Sequence, residues 1–149
     1  MYLPETLSRL RDAASVCPRG VEIVVVDNGS VDRTADIARS FGAAVVLEAV
    51  HNIARVRNAG AVVASGDVLV FVDADTTVPR QFLARIAQTM ADSACMGGSA
   101  DIVHRPTSRL LRVYLKAWRW LGIALGMCQG AAQFCRKPAF VILKLNGCD

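Results

Sequence analysis

No run of the 149 residues reaches the roughly 18 uncharged apolar positions that a membrane-spanning helix needs, so no transmembrane span is expected. The five cysteines, Cys17, Cys95, Cys128, Cys135 and Cys148, are odd in number and far apart, with no CxxC pair. Neither a disulfide framework nor a thiolate zinc site is indicated, and a reducing setting fits best. A GxGxxG after a strand and a GxxxxGK[ST] loop are both missing, which sets aside a dinucleotide enzyme and a P-loop NTPase. The start, Met1-Tyr2-Leu3-Pro4-Glu5, lacks the basic and long apolar regions of a signal peptide, and a cytoplasmic protein is expected. The two histidines, His51 and His104, stand alone and read as surface or loop residues. Seventeen Lys and Arg against 13 Asp and Glu favour anionic partners, but charge alone does not support nucleic-acid binding, and none is expected.

What is present is a 53% apolar chain, long enough for one domain with a core and too short for two, so residues 1–149 read as a single unit. Leu3, Leu7, Leu10 and Ala14 have helical period, and Pro4 suits a first turn, where its missing N–H needs no partner. Val21 to Val26 is a nearly continuous β-branched run, the pattern of a strand covered on both faces in a parallel sheet. Ser30 and Asp32 precede a helix through Thr34, Ile37, Ala38 and Phe41, closed by Gly42. Strand Ala44–Leu47, a helix from Ile53 to Ala64, strand Val68–Val72, a helix over Phe82, Leu83, Ile86 and Met90, and a strand within Cys95–Ala100 follow. Such alternation predicts an α/β fold, whose ligands bind beyond the carboxyl ends of the strands.

Both acidic clusters fall at such ends. Asp73-Ala74-Asp75 places two carboxylates one residue apart after an apolar strand, where they repel unless a cation or donors compensate. Their hard oxygens suit Mg²⁺ or Mn²⁺, with substrate phosphate and water completing the shell. The competing use is local: Asp75-Thr76-Thr77 caps the helix after Pro79. Asp27-Asn28-Gly29-Ser30-Val31-Asp32 offers a polar turn for a base or ribose edge, or simply an Asn-Gly turn and cap. Arg55 and Arg57, at a predicted helix start, can grip a diphosphate or form a solvated basic face.

In order and spacing, Glu22 to Thr34, Arg57-Asn58-Ala59-Gly60-Ala61, Ala64-Ser65-Gly66-Asp67 and Phe71-Val72-Asp73-Ala74-Asp75-Thr76 resemble glycosyltransferase family 2, with its GT-A nucleotide-sugar-binding fold. A weaker likeness follows in Gly130 to Lys137 and in Asn146-Gly147-Cys148-Asp149. The resemblance implies a GT-A-like fold with a mainly parallel sheet. It also implies Mn²⁺ or Mg²⁺ on Asp73 and Asp75, Asp27 and Asn28 toward the base, Arg55 or Arg57 on the diphosphate, and Asp73 within the nucleotide site. The activity implied is metal-dependent transfer of a sugar from a nucleotide-diphosphate sugar to a hydroxyl acceptor.

Two parts of the family pattern have no counterpart here: an opening strand with Pro and Asn-Glu, and an acidic catalytic pair beyond the position of Asp149. The expectation is a GT-A domain lacking its usual first strand, with the catalytic base beyond Asp149. Unpaired groups beside Val21–Val26 would each cost about 1–3 kcal/mol if buried, which predicts marginal stability or self-association that supplies a strand. The alternative to an enzyme is a non-catalytic nucleotide-sugar-binding or interaction remnant.

In segment 108–127, Arg109, Arg112, Lys116 and Arg119 recur at helical spacing opposite Leu110, Leu111, Tyr114, Trp118 and Leu121. Such a helix either lies on an anionic membrane surface, suiting a lipid-linked acceptor, or packs its apolar face on the domain.

Overall fold

The computed structural model describes residues 2–100, 108, 113–114, 117–118, 120–121 and 132–145, with side chains of the last stretch described to Val141. Helix α1 (Leu3–Ser15) has Pro4 in its first turn and buries Leu7 and Ala13 on its inner face. Strand β1 (Val24–Asp27) pairs in parallel with β2 (Ala44–Leu47), Val24 opposite Ala44 and Asp27 opposite Leu47. Between them runs α2 (Thr34–Ser40), whose start is organised by Asp32: its Oδ1 accepts from the Thr34 amide at 3.0 Å and from the Thr34 hydroxyl. Those bonds hold the exposed Asp32 carboxyl below its ordinary pKa.

Helix α3 (Ile53–Val63) is capped by Asn52, whose side-chain oxygen accepts from the amides of Ala54 at 2.8 Å and Arg55 at 3.2 Å. Strand β3 (Val68–Val72) leads to α4 (Phe82–Thr89), then β4 (Gly97–Ser99), β5 (Ala132–Arg136) and α5 (Lys137–Leu145). Strand β5 lies between β3 and β4 and runs antiparallel to both, with Val68 opposite Arg136 and Gly97 opposite Cys135. Gly97 is required there, since a Cβ would lie 2.5 Å from the Phe134 carbonyl oxygen.

The α/β alternation is as the sequence predicts, but parallel pairing among the described strands is confined to β1 and β2. β5 returns beside β3 in the opposite sense, which the residue pattern of an apolar strand does not encode. β1 is also shorter than Val21–Val26, and its valines are half-buried rather than enclosed. The reason is pairing: among the described residues β1 has a strand on one edge only, and no backbone hydrogen bond joins it to β3.

Side chains and helices bridge that gap. Leu7 of α1 packs with Ala38 and Ala43 over Ile23, Val25 and Val45, while Ala13 of the same helix packs with Val78 and Leu83 over Val70 and Val72. The Glu22 carboxylate accepts from the Ser65 hydroxyl and from the amides of Ser65 and Gly66, tying the approach to β1 to the turn before β3. These bonds, the Ser65 hydroxyl foremost, hold its pKa below the usual value. Arg136 closes the end of α4 by donating to the carbonyls of Met90, Cys95 and Asp92. Cys17, Cys95 and Cys135 are free thiols, and burial pushes the Cys135 thiol up.

Candidate functional site

The Asp73-Ala74-Asp75 turn leaves the carboxyl end of β3, closed by a bond from the Thr76 amide to the Asp73 carbonyl at 2.9 Å. The capping use of Asp75 is not realised: the residue at the cap of α4 is Gln81, and no side chain bonds there. Asp75 is exposed, and its carboxylate makes no hydrogen bond or ion pair among the described residues. From beneath, Thr6, only 3% exposed, donates its hydroxyl to the Ala74 carbonyl at 2.9 Å. The helix α1 thus fixes the peptide between the two carboxylates.

Asp73 faces Arg57, Oδ1 to Nη2 at 3.6 Å. Arg57 is held on two further sides, donating from Nη1 to Gln133 Oε1 of β5 at 3.2 Å and lying 6.0 Å above the Phe71 ring. That ring is backed by Phe140 at 5.2 Å. Arg55 points elsewhere, with Nε 3.6 Å from Glu48 in the loop after β2. The two arginines therefore separate, and only Arg57 joins the acidic turn.

At the end of β1, Asp27 is 6% exposed and its Oδ1 accepts from the Ser30 amide at 2.9 Å. Gly29 takes a positive φ of 78°, a conformation that only glycine adopts freely, and the His51 imidazole lies against it. Asn28 uses its amide nitrogen on the carbonyls of Glu48 and Val50, strapping the β2–α3 loop to this turn. Both donor hydrogens of Asn28 are spent there, which leaves its oxygen as the group available to a ligand. Helix α3 connects the two ends: Gly60 packs on Val26 of β1, and Arg57 reaches Asp73.

A hard divalent cation fits this donor set. Among the described residues, Asp75 is exposed with no partner on its carboxylate, Asp73 faces one cation, Arg57, and no cluster of three His, Cys, Asp or Glu exists. Two carboxylates with the remaining positions open are what Mg²⁺ or Mn²⁺ takes when phosphate and water complete its shell. A cavity of about 470 Å³ lined by Arg11, Glu22, Phe41 and Ala44 lies at the opposite, amino end of β1 and is not part of this arrangement.

The family model for glycosyl transferase family 2 matches residues 1–140. The chain belongs to that family. The glycosyltransferase AglE of Haloferax volcanii is 32% identical over 91 residues, covering 56% of this chain and 30% of that protein. Among solved structures, the mannosyltransferase PcManGT of Pyrobaculum calidifontis, in complex with GDP-Man and Mn²⁺, superposes with a TM-score of 0.70 at 22% identity. It covers 95% of this chain and 42% of the mannosyltransferase. Glucosyl-3-phosphoglycerate synthase of Mycobacterium tuberculosis, in complex with UDP, gives 0.64 at 19% identity, covering 93% of this chain and 54% of that enzyme. These likenesses establish the GT-A fold, and the family 2 chain spans about half or less of each relative.

Sequence reasoning placed Asp27, Asn28, Asp73 and Asp75 at the acidic strand ends and Arg55 and Arg57 at a helix start, and missed Thr6, Glu48 and Gln133. Gln133 carried a readable signal, as a polar residue in the run Ala132-Gln133-Phe134-Cys135; Thr6 carried none. The weaker motif positions Gly130, Ala131 and Asn146 to Asp149, the cations Arg109, Arg112, Lys116 and Arg119, and His104, Cys128 and Cys148 lie outside the described residues.

Proposed function

We propose that this chain is the donor-binding part of a metal-dependent transferase that moves a sugar from a nucleotide-diphosphate sugar to a hydroxyl acceptor. The carrying observation is the free Asp75 carboxylate beside Asp73 at a strand end, with Arg57 against the same turn. Asp73 and Asp75 would hold Mn²⁺ or Mg²⁺, which when bound offsets the negative charge developing on the departing nucleoside diphosphate. Arg57 contributes a second, fixed positive charge to the diphosphate, because its guanidinium is already restrained by Gln133 and Phe71. Asp27 offers its second oxygen, and Asn28 its side-chain oxygen, to base donors; both are acceptors held in place by the bonds of their own turns. Of the two arginines the sequence offers for the diphosphate, Arg57 is the one assigned here, because Arg55 is turned to Glu48 and away from the acidic turn.

Calorimetry with GDP, UDP and their sugars, with and without Mn²⁺, tests this directly. The expected result is binding that disappears on EDTA, with Asp75→Ala losing at least about tenfold in affinity while its thermal unfolding is unchanged. Equal binding after chelation removes the metal role, and an unfolded Asp75→Ala protein would make the turn structural.

No helix among the described residues is long and apolar enough to cross a membrane. Peripheral contact through 108–127, serving a lipid-linked acceptor, belongs to the same proposal. It is supported by exposed aromatics on helical residues: Tyr114 and Trp118, with rings 6.3 Å apart, and Trp120, 73% exposed.

A further inference from the structure

We infer that Gln133 is a positioning residue of the donor site: its side-chain oxygen holds the Arg57 guanidinium at the orientation from which that cation serves both Asp73 and a diphosphate. The inference rests on the donor-site reading above and adds a residue on a different strand. Gln133 stands in β5 opposite Phe71 of β3, one register step from the end of the ladder that releases Asp73. A half-buried amide among Ala132, Phe134 and Cys135 needs a polar partner, and the partner present is Arg57 Nη1 at 3.2 Å.

Geometry makes this contact the one that sets the cation. A guanidinium is planar, with five donors in a fixed fork, so fixing one nitrogen and the ring face fixes the direction of the rest. Gln133 fixes Nη1, and the guanidinium carbon lies over the Phe71 ring at 6.0 Å from its centroid, the outer range of a cation–π contact. Nη2 is then carried to 3.6 Å from Asp73 Oδ1, a distance for Coulomb attraction but too long for a good hydrogen bond. Asp73 therefore attracts Arg57 without locking it. The tighter anchor is the neutral amide, which orients the guanidinium without adding a second negative charge beside it, as a carboxylate at 133 would. Gln133 reaches a ligand only through Arg57.

The test uses the whole chain in two measurements. Side-chain ¹⁵N NMR of the ligand-free protein should show slowed Arg57 guanidinium rotation in wild type and in Gln133→Glu, and fast rotation in Gln133→Leu. Calorimetry with GDP and with UDP in Mn²⁺ should show Gln133→Leu binding about tenfold more weakly, the scale of one hydrogen bond to a charged group. That loss should vanish when the same change is made in an Arg57→Met background. Unchanged Arg57 rotation in Gln133→Leu overturns the inference, as does an equal loss in the Arg57→Met background, which would show Gln133 acting alone. Wild type that binds while Gln133→Leu is unaffected defeats this inference and leaves the donor site standing. Wild type that binds neither nucleotide defeats the donor-site reading and this inference with it.

Discussion

Two carboxylates are only as useful as the backbone between them is fixed, and Thr6 supplies that restraint from another element. Its hydroxyl bonds the Ala74 carbonyl in a nearly closed environment, so Thr6→Val keeps the branched shape while leaving that carbonyl without its donor. The expected cost is about 1–3 kcal/mol in unfolding free energy, with weaker Mn²⁺-dependent nucleotide binding; Thr6→Ser should recover both. Thermal unfolding and calorimetry on the two variants check this, and a Thr6→Val protein that binds as wild type would confine Thr6 to packing. The contrast with Asp75 shows what was legible in the sequence. An acidic pair after an apolar strand is conspicuous because carboxylates rarely sit there without a cation or donors. Thr6 and Gln133 act through partners 68 and 76 positions away in sequence, and no local pattern announces such contacts.

At the level of elements, local chemistry was a good guide to where helices and strands lie. Pro4 and the valine runs mark their elements through backbone and packing preferences that act over a few residues. Pairing direction was not legible, because an antiparallel β5 and a parallel β2 can present the same apolar residues. In the segment 108–127 the described aromatics are exposed: Trp118 and Trp120 are not sequestered in either of the described core clusters. By their sequence spacing alone, Arg109, Arg112, Lys116 and Arg119 would add about 1 kcal/mol each at an anionic surface, weakening with salt. Wild type is therefore expected to sediment with anionic vesicles at low ionic strength and to be released at high, and Arg112→Glu with Lys116→Glu to stay in solution throughout. If both proteins remain in the supernatant at low salt, this segment has no membrane role.

At the scale of the fold, the strands among the described residues form two hydrogen-bonded sheets that share helices rather than backbone bonds. One holds Asp27 and the other Asp73, so the two acidic ends are set by separate sheets and brought together through α1 and α3. Amide hydrogen exchange should register this division. Strand ladders that share no bond can open separately, each with its own free energy of opening. Truncating Leu7, which is enclosed over β1 and β2, should speed exchange there by the equivalent of about 2–5 kcal/mol at most, while the amides of β3, β4 and β5 keep most of their protection. Uniform acceleration across all five strands would instead mark one cooperative unit. With separate opening, a nucleotide bound across both acidic ends would protect amides in the two ladders together, and its presence would be written in the exchange pattern of residues it never touches.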